Sequence, residues 1–412
     1  MLKKVKNKND ALLGRLISLI LLLFIYKALC YIPIPWINKE SLDTISSSGV
    51  FTILNTFNDS SFTNFTFMAT GISSYVGASI ILQIISFISP TFHDLHKTPG
   101  GKKKLTFYTL IFGVILAFIS SLGTTLIFQN YYKILTNDAW YVYLLIALFH
   151  SCGTFFAVLI GETITKLNFG NGCSILIFSN ILSGASTLVQ IIITSIINNA
   201  TTFLNAIIFA IIFSIIFLLC IFLDNIKKII PIQYSQTTVR NKIASLDLKS
   251  YYKIRLNISG VLPIIFSMAI FQSISIIADL IPDLNINGIL NNIVEQDSFL
   301  YYAILLPLIF IFNFLYTYLI FDPKEISQSL QQYFASFPNI RIGKETERFL
   351  KKTRTKMWLL SSICLSSLIL IISFFLNYMN ITTISATSII VLISVSLEIF
   401  TSIYSEIKIR KI

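Results

Sequence analysis

The sequence predicts an all-α protein that crosses a membrane ten times, and three observations carry that reading. Of 412 residues, 55% are hydrophobic and only 12% charged, with a mean hydropathy of +0.77. A water-soluble chain has no interior large enough for so much Ile, Leu and Phe. The apolar residues recur in runs of about twenty, the length that crosses roughly 30 Å of hydrocarbon as a helix. Ten spans also leave the 31 basic residues almost wholly on one side, with only Lys39 and Lys133 on the other and Lys27 inside the first span. An odd count would invert half the loops and spoil that asymmetry. The net charge of +12 therefore reads as topology, not as a nucleic-acid surface. A β-barrel is excluded, because its strands alternate over about ten residues.

Taken in order, the N-terminal MLKKVKNKND and the apolar run after it have the outline of a signal peptide. The run ends in ALCYIPIPW with no small-residue cleavage site, so a retained first span is expected over 12–32, closed by Pro33 and Pro35. Lys27 lies near enough its end to reach the interface. The second span covers 71–90, opened by Gly71 and two serines and stopped by Pro90. Spans three to six cover 107–128, 140–164, 173–197 and 203–222, and spans seven to ten cover 258–280, 299–320, 357–375 and 384–400. The division is a terminus 1–11, a first half 12–202, a second half 203–403 and a basic tail 404–412, the two halves holding five spans each. Such paired sets are common in transporters and channels.

Two loops are long and basic. In 225–257, IPIQYSQTTVRNK alternates as a hairpin would and is followed by DLKSYYKIRL. In 322–356, DPKEISQSLQQYF has the caps and spacing of an amphipathic helix. Arg341 then falls in a turn between Pro338 and Gly343, and a basic helix leads into span nine. Loops of this kind suit the docking of a partner.

No catalytic, cofactor or metal site is expected. His93 and His96 have a ligand-like spacing but sit in a short basic loop that reads as a solvated turn. There is no G-x-S-x-G elbow and no phosphate-binding loop. The cysteines at 30, 152, 173, 220 and 364 have no paired spacing. Acids inside spans are few: Glu162 and Glu398 lie near span ends. The spans offer instead Gln83, Ser86, Ser120, Ser121, Asn180, Gln190 and Gln272. An ion-coupled carrier normally holds a carboxylate near the midplane, so this inventory disfavours one.

The stretch 50–90 is the odd one out. Its first part, VFTILNTFNDSSFTNFTFMAT, is threaded with Thr, Ser and Asn around Asp59 and is poorly suited to lipid. Its second part is an apolar helix with Val76 and Ile80 four apart on one face. Span seven opens NISGVLPIIF, where Gly260 and Pro263 are expected to bend a helix and turn Ile264 or Ile265 inward. Apolar residues placed so form a collar that blocks ions when closed.

GISSYVGASIILQIISFISP with GGKKKLTFYT, GETITKLNFGNGCSILIFSNILSG, PIQYSQTTV, NISGVLPIIF, and FDPKEISQSLQQ with FPNIRIGKET resemble, in order, the SecY family, the channel subunit of the general protein-export translocase. The resemblance runs from about residue 10 to 405. It implies two pseudo-symmetric halves of five helices around a central pore. It implies a re-entrant plug over 50–66, here carrying Asn55, Asp59 and Phe62. Val76 and Ile80 match pore-ring positions, with Ile177 or Ile181 and Ile264 or Ile265 as further members. A lateral gate between spans two and seven is implied, with Gln83, Ser86 and Gln272 along it. Arg341 matches the arginine of the last long loop that engages the motor, and Arg240 and Lys344 lie in the same pair of contacting loops. Implied partners are SecE-like and SecG-like small subunits, the SecA motor ATPase, the ribosome with its nascent chains, signal peptides and membrane lipids, without specific nucleic acid. The implied location is a bacterial plasma membrane with both termini cytoplasmic, or a plastid thylakoid membrane with termini in the stroma. The sequence departs from the family pattern in FNDSSFTNF, which lacks a glycine-rich turn, and at Ile342, where proline is usual. A housekeeping, an accessory and a plastid form all remain open, as do a small-solute transporter and a non-conducting assembly factor.

Overall fold

The structure, a computed structural model, describes residues 2–38, 65–89, 92, 95, 98–183, 200–234, 250–280, 298–378 and 385–411. Its helices are α1 (Leu2–Cys30), α2 (Ser73–Ile88), α3 (Pro99–Tyr132), α4 (Trp140–Lys166), α5 (Gly172–Ser183), α6 (Ala200–Asn225), α7 (Leu262–Leu280), α8 (Phe299–Ile320), α9 (Pro323–Gln332), α10 (Lys344–Tyr378) and α11 (Ala386–Lys411). Strands β1 (Lys227–Tyr234), β2 (Ser250–Arg255) and β3 (Ala335–Ser336) lie between them. Within α1, α3, α4, α8, α10 and α11 are six stretches long and apolar enough to cross a membrane, and α2, α5, α6 and α7 add shorter apolar ones. The protein is an all-α polytopic membrane protein, and its few strands are confined to the two long basic loops.

The helices follow from their sequences. Thr98 caps α3 by accepting from the Gly101 amide at 3.1 Å, and Pro99 occupies the first turn, where its missing N–H costs nothing. Ser298 caps α8 in the same way, accepting from Tyr301 N at 3.1 Å. Along α8 the buried residues Tyr301, Leu305, Ile309, Phe312, Asn313 and Thr317 recur at helical spacing, which gives one packed stripe. The opposite faces are greasy. Phe24, Trp140 and Phe374 each stand more than 70% exposed, as suits side chains in lipid. Helix α5 comes tight against α4 because both carry glycine at the crossing: a Cβ on Gly172 would meet the Gly161 carbonyl.

Packing neighbours are specific. Helix α3 packs on α2 and α4, and α1 on α4; α8 packs on α7 and α10, and α11 on α6, α7 and α10. Helix α2 joins these sets through α7 and α8, and α3 also touches α7. At the ends of α1 and α3 the chain is knitted by bridges Pro33 to Thr66 and Ile37 to Leu135, over an apolar cluster of Ile34, Phe65, Phe128, Ile134, Val142 and Ile146.

Three expectations are corrected. The described strand of IPIQYSQTTVRNK takes its partner from outside that stretch: β1 pairs antiparallel with β2, so SYYKIR supplies the second strand, with Ile230 opposite Tyr252. β1 also pairs with β3 of the other long loop, Gln233 opposite Ser336, giving the order β2-β1-β3. Pro263 bends nothing. It occupies the first turn of α7, after a turn in which Gly260 adopts φ +65° and the Asn257 side chain bonds Gly260 at both N and O, each at 3.1 Å. Lys27 does not run out to an interface, because its Nζ donates to Asn180 Oδ1 of α5 at 3.2 Å. Asn180 in turn donates to the Tyr26 hydroxyl at 2.9 Å, so its carboxamide is satisfied at both ends.

Candidate functional site

Six of the side chains singled out as collar members fall into one apolar cluster. Val76 and Ile80 enter it from α2, Ile177 and Ile181 from α5, and Ile264 and Ile265 from α7. All are buried, from 0% exposure at Ile264 to 7% at Ile181. Ile389, Ile390 and Ile393 of α11 join the same cluster, a contribution sequence reasoning missed because nothing in span ten sets those isoleucines apart from its neighbours. The pairs 76/80 and 177/181 are four apart, so each helix offers one face. Both residues of the pair 264/265 are buried because they follow the Gly260 turn directly, where Ile264 N and Ile265 N both donate to Val261 O, at 3.0 and 3.2 Å. These six side chains themselves carry no charge and no hydrogen-bonding group.

Helix α2 carries a second surface further along the same stripe. Gln83 Nε2 donates to the Tyr316 hydroxyl of α8 at 3.0 Å and to Ser79 Oγ at 3.1 Å. One turn on, Phe87 sits edge-on to Tyr318 and Phe314 of α8, with centroids at 5.2 and 6.2 Å. Tyr316 also leans on Phe266 of α7 at 5.3 Å. Ser86 is fully buried, but its hydroxyl is spent on Leu82 O of its own helix at 2.8 Å and reaches no partner helix. Gln272 lies on α7, and its side chain falls outside the described residues. The aromatic side of this seam was not legible beforehand: Phe is common in every span, and only the fold brings Phe87 to Tyr318.

The two basic loops form one body. Ile230, Ile254, Leu256, Phe321, Leu330, Ala335, Phe337 and Leu350 share an apolar core beneath the three-stranded sheet. Tyr252 is half-buried against Phe337, and burial pushes its hydroxyl pKa up. Asp322 caps α9 from Lys324 N at 2.9 Å, and Pro323 takes the first position, as the spacing predicts. Arg341 is exposed beside the left-handed residues Asn339 and Gly343. Its backbone is held from both sides, by Glu345 Oε2 at 3.3 Å and Thr346 Oγ1 at 2.8 Å, so the loop presents the guanidinium outward on a fixed base. Lys344 opens α10 and is also exposed. Arg240, the plug residues Asn55, Asp59 and Phe62, and the histidines His93 and His96 lie outside the described residues. No cluster of three or more metal-ligating side chains occurs among the described residues.

A third set of contacts spans distant ends of the chain. Glu398 of α11 accepts from the Asn171 amide at 3.3 Å in the turn between α4 and α5, beside Gly170 at φ +128°.

Comparison with known proteins agrees with this geometry. The family model described as SecY matches residues 66–400. The chain is 30% identical over 418 aligned positions to the "Protein translocase subunit SecY" of Staphylococcus carnosus (strain TM300), covering 98% of this chain and 95% of that one. It superposes with a TM-score of 0.63, at 15% identity and 94% coverage, on the solved "structure of a protein conducting channel", of which 91% is covered. The same TM-score and identity relate it to a second structure, described as showing that "the plug domain of the SecY protein stablizes the closed state of the translocation channel", with 94% and 90% of the two chains covered. By sequence match along most of its length and by fold, the chain belongs to the SecY family of protein translocase subunits.

Proposed function

We propose that this protein-conducting channel subunit of the Sec translocase family passes unfolded secretory polypeptides through the buried apolar cluster and releases apolar segments sideways into lipid between α2 and α7. The observation that carries the reading is that Val76, Ile80, Ile177, Ile181, Ile264 and Ile265, drawn from α2, α5 and α7, are all buried in the main apolar core. These side chains act as a compliant ring. Branched aliphatic residues seal against ions when apposed and give no polar hold on a chain that slides past. The division into halves 12–202 and 203–403, five spans each, is supported by the packing: α2 and α3 are where the first set of helices meets the second. Residues 50–66 serve as the plug, a reading that rests on their polarity and on the family.

Gln83 and Ser86 of α2 and Gln272 of α7 line the lateral gate. On the far side of that gate α7 packs on α8, and α2 is held to α8 by the Gln83–Tyr316 hydrogen bond and the Phe87 aromatic seat, weak contacts that must give way when a signal segment wedges α2 from α7. Arg341 and Lys344 face the SecA motor or the ribosome from the body formed by the two basic loops, and Arg240 is given the same role on its place in the first of those loops. SecE-like and SecG-like subunits and membrane lipids surround the helices. The membrane is a bacterial plasma membrane with both termini cytoplasmic, as the basic loops favour. Energy comes from the motor or from synthesis.

The test is a reversible lock. With Gln83→Cys and Tyr316→Cys bridged by a short reducible bifunctional thiol reagent, reconstituted protein with a SecE-like subunit and SecA stops moving a preprotein bearing a signal sequence, and reductant restores transport. Undiminished transport by the bridged protein would sink the gate reading.

A further inference from the structure

Arg354 of α10 is half-buried at the junction of the loop body with the spans. Its guanidinium lies over the Tyr318 ring, with Cζ 4.1 Å from the centroid, and Nη1 donates to the Phe321 carbonyl at 3.2 Å. Phe321 is the C-terminal capping residue of α8 and a member of the loop-body core. Tyr318 is the same ring that receives Phe87 of α2. A single planar cation therefore closes the end of α8 and backs the surface on which α2 is seated. On its other side α10 is tied to the sheet one turn earlier: Lys228 of β1 lies over the Phe349 ring at 5.3 Å and donates to Thr353 Oγ1 at 3.4 Å. Phe314 and Trp358, 5.4 Å apart, fill the remaining space between α8 and α10.

We propose that Arg354 is a positioning residue that couples the loop body to the α2–α8 seam, holding the Tyr318 ring where Phe87 seats. A partner that shifts the loop body then loosens the seam through α10 and α8, with no contact of its own on α2. The functional meaning rests on the reading of α2, α7 and α8 as the lateral gate. Lysine at this position can bond the carbonyl or set its single ammonium over the ring but has no second N–H-bearing plane to do both at once, which separates capping from positioning.

The experiment uses the full chain in membranes with cysteines at 83 and 316, and reads the rate of bridging by the bifunctional reagent. That pair removes the Gln83–Tyr316 hydrogen bond, so the aromatic seat is what remains to hold α2 on α8. Arg354→Met and Tyr318→Leu are each expected to slow bridging about threefold or more, the scale of one partly exposed cation–π contact. Arg354→Lys is expected to slow it nearly as much. In a Phe87→Leu background, Arg354→Met is expected to add little, because both act on one seat. Full rescue by lysine, no effect of Arg354→Met, or effects of Phe87→Leu and Arg354→Met that multiply would each overturn the proposal. Arg354-dependent bridging in a protein that still transports preprotein when bridged leaves the positioning role standing and removes the gate reading. A transport block with bridging insensitive to Arg354 does the reverse.

Discussion

Asn313 sits fully buried in α8 and commits its whole carboxamide. Nδ2 donates to Ser361 Oγ at 2.8 Å and Ser362 Oγ at 2.7 Å on α10, while Oδ1 accepts from Ser259, just before α7, and from Thr317. In hydrocarbon such a hub supplies direction that apolar packing lacks. Asn313→Leu is expected to lower stability by about 1–3 kcal/mol, read as a lower melting temperature in detergent. Asn313→Asp is expected to be worse, since a buried charge gains no counter-ion there. A second residue-scale prediction concerns Gly170. Its φ of +128° and the Glu398 carboxylate 2.9 Å from where a Cβ would stand leave no room for alanine. Gly170→Ala is expected to destabilise the turn between α4 and α5, and Glu398→Gln to be mild, because the amide oxygen still accepts from Asn171 N. Equal stability of Gly170→Ala and wild type would contradict this. Polar residues in the spans were legible in the sequence; their partners were not. Those of Asn313 lie 48, 49 and 54 residues away, a separation to which local periodicity is blind.

At the scale of elements, a helix begins or runs within every expected span, though 184–197 of the fifth lie outside the described residues, and α8 matches its expected range of 299–320. What the apolar runs missed was how far helices run past hydrocarbon. α1 begins at Leu2, α10 reaches back to Lys344, and α11 runs on to Lys411, because Lys, Glu and Arg are good helix formers and no Pro interrupts these stretches. Alternation within IPIQYSQ marked a strand correctly but not its partner, since pairing with SYYKIR and Ala335–Ser336 is decided by the shared core. The capped amphipathic helix α9 was fully legible, because caps are local signals. Asp322→Ala is expected to cost about 0.5–2 kcal/mol at that helix and to raise its susceptibility to proteolysis on the loop side. Unchanged cleavage in 323–332 would contradict the cap.

For the molecule as a whole, α2 joins the two sets of packed helices. One stripe of it, Val76 and Ile80 then Gln83 and Phe87, passes from the apolar cluster to the seam on α8. On the proposed function, blocking the channel and opening it sideways both involve this one helix. The sequence showed Val76 and Ile80 on one face and the odd polarity of the residues before them, whereas the continuation of the stripe to Phe87 and the contribution of α11 to the apolar cluster emerged only from the fold. The most direct test places cysteines at 76, 80 and 264 and arrests a secretory chain carrying a photoactivatable or thiol-reactive probe in transit. The account predicts crosslinks at all three positions and none at Ile119 or Leu148, which face outward at 59% and 51% exposure. A translocating chain that reaches none of the three, or that labels the outward pair equally well, would contradict it.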